Sequence, residues 1–309
     1  MINQISELRP QAGNTPDFER SVTIVIPTYN RPEILRRTLR ELKQKGFGEL
    51  RLLIYDDASI LHPSVAEVVA ATWENACIFR SEHKRGQAYG RNQLLREVAT
   101  EFALLLDDDS WPDDRCDLEA AFADACSRSA ACATFQYRAL RSGELSHAHL
   151  NHIQEVHSFL GGAALIHTET IRRVMCFRET LVFGFEEPDL AFRLWAAGHK
   201  IIFYPTVIFS HNQHYSPDEF RDFKEYDYLY SRNAILMSSL NFPLWFGLCH
   251  GLGRSIRRFT YHKRNYFVKI KGIVIGLIHS FTKAGDYRRE SFSKALQWLE
   301  IQRRAASKF

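Results

Sequence analysis

The chain has 309 residues, enough for one large α/β domain with a short appendage or for two modest domains. Hydrophobic residues at 45% and charged residues at 25% suit a protein that buries a core, and no stretch reaches the roughly 18 apolar residues needed to cross a bilayer as a helix. Net charge is +4 but uneven: residues 241–309 carry 14 Lys and Arg against Asp286, Glu290 and Glu300, a local +11 that leaves −7 on the first 240 residues. An acidic body with a basic tail points to something anionic as the tail's partner.

Residues 1–20 are polar and lack the apolar core of a secretory signal, so they read as a loose leader and the expected address is cytoplasmic. Residues 21–26 are apolar and β-branched, short enough for a buried strand. The turn at Pro27, Thr28, Tyr29 and Asn30 follows; Asn30 is expected to cap a helix, Pro32 fits its first turn, and Ile34, Leu35, Leu39 and Leu42 form its apolar stripe. A second strand over 52–55 stops at Asp56 and Asp57. Helices are expected over 65–72 and 87–98, with a short strand at 77–79 between them. The apolar strand at 102–106 runs into Asp107, Asp108 and Asp109. This alternation predicts a mainly parallel, Rossmann-like sheet covered by helices, whose ligands sit beyond the carboxyl ends of the strands.

Past residue 113 the pattern is less regular. Residues 159–166, with Gly161 and Gly162, read as a strand beside something that approaches the backbone closely. A helix over 189–197 stops at Gly198. Strands are expected at 201–204 and 207–209, interrupted by Pro205. The aromatics Phe220, Phe223, Tyr226, Tyr228 and Tyr230 fall at helical spacing and read as core rather than as a stacking surface. The six cysteines show no C-x-x-C pair and read as reduced, mostly buried thiols.

Three adjacent carboxylates at residues 107–109 repel one another unless a cation offsets them. A divalent ion on hard oxygen ligands and a solvated acidic turn capping a helix from Asp114 are both open readings of that triplet alone. Asp56 and Asp57 end the neighbouring strand, and Glu186, Glu187 and Asp189 open a helix, where acids also suit the dipole. Sugar transfer from a nucleotide diphosphate needs two separated groups of this kind, one for a metal at the leaving diphosphate and one for a base.

At this point the ordered motifs resemble family-two glycosyltransferases of GT-A fold. They are Val-Thr-Ile-Val-Ile-Pro-Thr-Tyr-Asn-Arg-Pro at 22–32, Asp-Asp-Ala-Ser at 56–59, Gly86, Arg91-Asn92, Leu-Asp-Asp-Asp at 106–109, Gly-Gly-Ala at 161–163, Gly-Phe-Glu-Glu-Pro-Asp-Leu at 184–190, Ala-Gly-His-Lys-Ile at 197–201 and Tyr-Ser-Arg-Asn at 230–233. The resemblance covers roughly residues 21–235, leaving a leader at 1–20 and a helical, basic extension at 236–309. Within it, 21–112 would be the nucleotide-binding half and 113–235 the acceptor half.

The resemblance implies roles. Pro27, Thr28, Tyr29 and Asn30 line the nucleotide; Asp57, with Asp56 beside it, reads the base, usually uracil or another pyrimidine; Arg91 approaches the donor. Asp107 and Asp109 are the outer aspartates that hold Mn²⁺ or Mg²⁺, with Asp108 between them on the donor side and His211 helping to hold metal or diphosphate. Glu187 matches the catalytic base; many members have Glu-Asp where this chain has Glu186 and Glu187, so Glu186 stays in view. The implied activity is inverting, metal-assisted transfer of a sugar from a nucleotide-diphosphate donor to an acceptor hydroxyl of a sugar, lipid-linked or small molecule, in polysaccharide, glycolipid or glycoconjugate synthesis. The alternative is a non-catalytic nucleotide-sugar-binding or membrane-associated scaffold. No G-x-G-x-x-G or P-loop is present, which argues against dinucleotide and nucleoside-triphosphate enzymes.

His147, His149, His152 and His157 read as a surface loop or acceptor-side wall rather than a zinc site. His214 is a possible helper of His211. The tail's apolar runs at 242–248 and 270–278, set among Lys and Arg, fit either an interfacial helix on an anionic membrane face or a helical subdomain packed on the core. The tail is also a possible homodimer contact, and no nucleic-acid partner is expected.

Overall fold

The computed structural model describes residues 17–212, 223–261, 264–282 and 289–306. In chain order the elements are α1 (Phe18–Ser21), β1 (Val22–Thr28), α2 (Pro32–Gln44), β2 (Arg51–Asp56), α3 (Val65–Ala70), β3 (Ala76–Arg80), α4 (Gln87–Glu97), β4 (Phe102–Leu106), β5 (Ser110–Pro112), α5 (Arg115–Ser127), β6 (Cys132–Ala139), β7 (Gln154–Val156) and β8 (Ala163–His167). They continue with α6 (Thr168–Arg173), a 3₁₀ turn (Glu179–Leu181), α7 (Glu186–Ala196), β9 (Ile201–His211), α8 (Phe223–Asn241), α9 (Leu244–Tyr261), α10 (Tyr266–Thr282) and α11 (Phe292–Ala306). Among the described residues, no helix is long and apolar enough to cross a membrane.

Described residues 17–84, 90–173 and 199–212 form one compact unit; 85–89, 174–198 and the described residues from 223 onward form another. The first unit holds a nine-stranded sheet in the order β3-β2-β1-β4-β8-β6-β9-β5, with β7 also paired to β9. β3, β2, β1 and β4 run parallel, β8 reverses against β4, and β6 pairs parallel with β9. Every residue of β4 is buried, as a strand covered on both faces requires; each Leu there contributes about 2 kcal/mol.

The two strands expected at 201–204 and 207–209 are one, β9. Pro205 cannot donate to a ladder, and the register slips there, from Phe135 opposite Tyr204 to Gln136 opposite Ile208. The strand expected from 159 starts only at Ala163, because 161–162 form a turn that the Ala163 amide closes onto the Leu160 carbonyl (3.0 Å). Asn30 does not cap α2. Arg31 stands at that position, while Asn30, at φ +54°, turns back to accept a hydrogen bond from the Ile60 amide through Oδ1 (2.7 Å). The thiols also differ from expectation: all six are free, but Cys77, Cys116 and Cys249 are exposed and only Cys132 is buried.

In the second unit, α8 supplies the buried residues Ala234, Ile235, Leu236, Met237 and Leu240. Glycines let its neighbours close in. A Cβ at Gly251 of α9 would lie 2.5 Å from Ile235 Cα, and one at Gly272 of α10 would lie 2.5 Å from the Tyr228 carbonyl oxygen. The tail's α11 lays Trp298 edge-on against Phe192 of α7, ring centroids 5.3 Å apart. The α8 tyrosines are not core: Tyr226, Tyr228 and Tyr230 are half-buried, and Tyr226 stacks on Tyr230 with centroids 4.3 Å apart. Phe220 and His214 lie outside the described residues, as does the Phe223 side chain.

Candidate active site

β1 sits between β2 and β4, so the chain leaving all three strands emerges at one edge of the first unit. Short polar bonds fasten these exits. The Asp57 amide donates to the Thr28 carbonyl (3.0 Å), and the Asn30 amide donates to Ser59 Oγ (2.8 Å). Asp56 is committed to this turn: the Ser59 amide donates to its Oδ1 (2.8 Å), and Arg80 pairs with its Oδ2. Asp57 is also buried, whereas the Tyr29 ring is 38% exposed beside Lys84, whose Nζ lies 5.0 Å from the ring centroid.

The aspartate triplet divides its work by partner. Asp108 faces inward, accepting from Thr28 Oγ1 (2.7 Å) and pairing with Arg31 (2.5 Å), while Thr38 Oγ1 donates to its carbonyl (2.7 Å). Burial pushes the Asp108 carboxyl up to about 7, against the pull of Arg31 and with the push of the Asp109 and Asp107 charges. Asp107 and Asp109 are held by a different set of groups, with Arg31 shared between Asp108 and Asp109. Arg91, with 1% of its surface exposed, donates to Asp107 Oδ1 (3.0 Å), and the Tyr137 hydroxyl lies 3.5 Å from Oδ2. Asp109 Oδ2 meets Arg31 (2.8 Å) and Oδ1 meets His211 Nε2 (3.1 Å).

His211 comes from 102 residues downstream of Asp109. Ser110 of β5 pairs antiparallel with His211 at the end of β9, and the Asn212 amide donates to the Asp109 carbonyl (2.8 Å). Tyr137 of β6 stacks on the imidazole, centroids 4.5 Å apart at 17°. Burial works against protonating His211, but the hydrogen bond and charge of Asp109 prevail and raise its pKa above the ordinary 6.5. Burial opposes ionisation of Asp109, yet His211 and Arg31 hold its carboxyl below the usual range. Burial, then the Asp107 and Asp109 charges, push the Tyr137 phenol well up.

Asp107, Asp109 and His211 offer ligand atoms within 4.8 Å of one another, and among the described residues they are the only group of three or more acids, histidines or cysteines so placed. Two carboxylates and an imidazole are a ligand set that a divalent cation could use. The backbone leaves them room: a Cβ at Gly162 would lie 2.6 Å from Asp107 Cγ. The four histidines at 147–157 form no such group; His147 is instead tied by backbone bonds to the Gln136 side chain (2.9 and 3.0 Å).

Glu186 and Glu187 lie in the second unit, in the first turn of α7. Glu186 is buried and Glu187 half-buried. The chain reaches them through Phe185 at φ +73° and Gly184 at φ +80°, where a Cβ would lie 2.6 Å from the Tyr230 ring. The motif at 230–233 holds this approach. Asn233 Nδ2 donates to the carbonyls of Leu181 (2.5 Å), Phe183 (3.0 Å) and Gly184 (2.8 Å), and Arg232 donates to that of Thr180 (2.5 Å). Asp189 is wholly buried as an anchor: Arg178 (2.9 Å) and Asn241 (2.7 Å) meet its Oδ1, and Arg193 (2.8 Å) meets its Oδ2.

Sequence reasoning missed three groups here. Arg31 follows the first turn and answers the acids, a role that the need to offset three carboxylates could have suggested. Tyr137, and Ser110, which donates to the Gly162 carbonyl (2.7 Å), carry no local signal, since only strand pairing brings them in.

The family model described as glycosyl transferase family 2 matches residues 23–195. Over 224 residues, 67% of the chain, the sequence is 28% identical to the pre-mycofactocin glycosyltransferase of Mycobacterium tuberculosis, and it spans 45% of that relative's length. Two solved structures share the fold. A mannosyltransferase of Pyrobaculum calidifontis, in complex with GDP-Man and Mn²⁺, aligns at TM-score 0.55 and 15% identity over 93% of this chain and 80% of its own. S. aureus TarS 1-349, in complex with UDP-GlcNAc, aligns at TM-score 0.59 and 15% identity over 84% and 81%. With its motifs in family order on a GT-A sheet, and with a match across more than half its length, the chain belongs to glycosyl transferase family 2.

Proposed function

We propose that the chain moves a sugar, with inversion, from a nucleotide-diphosphate donor to an acceptor hydroxyl in the assembly of a polysaccharide, glycolipid or other glycoconjugate. The observation that carries this reading is the convergence of Asp107, Asp109 and His211 beside the turns at residues 27–31 and 56–59. Asp107 and Asp109, with His211, are the residues that would hold Mn²⁺ or Mg²⁺; when bound, the cation offsets charge developing on the departing diphosphate. The Tyr29 ring, 38% exposed beside Lys84, would lie against the base, and Asp57 would supply the carboxylate that reads its edge. Arg91 holds Asp107 in place from a buried position.

Glu187 takes the proton of the attacking hydroxyl. Its half-buried carboxylate is accessible to an acceptor, which favours it over the buried Glu186. Inversion requires that attack come from the face opposite the leaving group. The preference for a pyrimidine nucleotide rests on the family resemblance, and peripheral residence on the cytoplasmic face of an anionic membrane rests on the apolar runs set among Lys and Arg in the tail.

A thermal-shift screen of UDP-, GDP-, dTDP- and CDP-sugars with and without Mn²⁺ tests the donor site. A ligand at about 100 times its Kd adds roughly 2.7 kcal/mol of stability. Stabilisation by one nucleotide class that requires Mn²⁺ and vanishes in Asp109→Ala is the expected result. A response indifferent to both metal and Asp109 would refute the assignment.

A further inference from the structure

α10 is built inside out. Its buried face carries Lys269, Gly272, Gly276 and Ser280, at spacings of three, four and four. Its opposite face carries Phe267, Ile270, Val274, Ile278 and Phe281, which are 90%, 50%, 48%, 49% and 62% exposed. The buried face is shaped for α8: Cβ atoms at Gly272 and Gly276 would meet the Tyr228 and Arg232 carbonyl oxygens at 2.5 and 2.9 Å, and Ser280 Oγ bonds Ser239 Oγ at 2.7 Å. Close approach of the two backbones therefore takes the small residues, and the large apolar ones are turned to the outside. The stripe is continuous for the length of the helix, so it is a patch and not scattered exposure.

Its electrostatic setting selects the partner. Residues 241–285 contain no Asp or Glu and eight Lys or Arg. Lys271 is exposed next to the stripe in the helical projection, and Arg264, exposed just before the helix, shares its charge with Asp227 (3.3 Å), while Lys269 lies on the buried face. A second copy of the chain would set like charge against like charge. An anionic lipid surface supplies both the apolar interior and the counter-charge. We propose that the outer face of α10 is the membrane-docking surface of this protein, lying in the headgroup region of an anionic bilayer with Phe267, Ile270, Val274, Ile278 and Phe281 among the acyl chains. This rests on the peripheral-membrane part of the function proposed above and is independent of the donor chemistry.

Flotation of the full chain with phosphatidylcholine vesicles, with and without phosphatidylglycerol, tests it alongside the double variant Phe267→Asp/Ile278→Asp. Both positions are exposed, so the variant keeps the wild-type melting temperature and nucleotide-induced thermal shift. The expected result is wild-type flotation that needs phosphatidylglycerol and weakens with salt, reduced about tenfold or more in the variant, since each buried Phe or Ile contributes more than a factor of ten. Equal flotation of wild type and variant overturns the α10 assignment and leaves peripheral binding through another part of the tail. Absence of flotation in the wild type overturns both. A wild-type dimer in light scattering that the variant dissolves gives the face to a second copy and overturns the lipid assignment.

Discussion

Gly162 lies directly against Asp107. A side-chain carbon there would sit 2.6 Å from Asp107 Cγ and nearer still to its Oδ2 and to the Tyr137 hydroxyl. Register sets this contact, since Leu106 pairs with Ala163 and the next residues of both strands must face each other. Gly162→Ala is therefore expected to push Asp107 off its place. Sugar transfer should fall about a hundredfold, with the loss concentrated in Mn²⁺ dependence, because a 1 Å misplacement costs that much. Titration of Mn²⁺ against initial rates checks this; an unchanged metal optimum would show that Asp107 has room to move.

The Asp109–His211 pair predicts a pH-dependent metal affinity. His211 is raised above 6.5 by Asp109, so in the metal-free protein the proton competes with a cation for the imidazole. Mn²⁺ affinity should rise about tenfold per pH unit up to the His211 pKa and level off above it, where the ring is already neutral. The folded-state sign is opposite. Since the folded pKa lies above the unfolded value, the pair's contribution to metal-free stability is full below pH 6.5 and fades as pH rises through the folded pKa. Calorimetric Mn²⁺ titrations at stepped pH should show the slope in wild type and lose it in His211→Gln.

Arg31→Ala should destabilise the chain by about 2 kcal/mol, a value reduced from that of a fully buried pair because the Arg31 side chain is 31% exposed. It leaves Asp108 and Asp109 to repel each other in a buried setting. Urea denaturation measures the change, and it should shrink at acidic pH, where Asp108, already raised to about 7, takes up a proton.

In the second unit Asp189→Asn should cost about 3 kcal/mol, because the mutation removes the buried carboxylate that Arg178 and Arg193 share, while Arg193 keeps the Val174 and Cys176 carbonyls. For a chain of this size that is on the order of a 10 °C drop in Tm. A drop smaller than in Arg31→Ala would mean that Arg178 and Arg193 find other acceptors.

His250 should make the protein acid-sensitive. Burial, then the charge of Arg254, lower its pKa to about 4, so the unfolded chain binds the proton first. Stability should fall as pH drops from 6.5 towards 4, by on the order of 2 kcal/mol, and the fall should be smaller in His250→Gln. Thermal melts across that range report it directly.

Local pattern carried the first half of the fold. β1, β2 and β4 read directly from apolar runs ending in polar clusters, because strands buried on both faces admit only apolar residues. α7 was legible from Gly198 and its acidic first turn. The second half was read less well. Pro205 looks like a strand break in sequence and is a bulge in the sheet, and Asn30 looks like a cap and is a turn-to-turn tie, because each answers to a partner far along the chain.

The sequence by itself determined the apolar strands, the acids at their ends and the order of motifs, since each is a property of neighbouring residues and of a charge cluster that must be offset. Only the tertiary structure decided the partners of each carboxylate. Asp56 is tied to Arg80, Asp108 to Arg31 and Thr28, and Asp189 to Arg178, Arg193 and Asn241, whereas Asp107 and Asp109, which Arg91 and Arg31 also hold, are the ones brought beside the imidazole of His211. The tertiary structure also decided that the large apolar residues of α10 face outward, because the helix approaches α8 through its glycines. Direction and distance across the sheet or between helices set these roles, and neither is encoded in residue type or spacing.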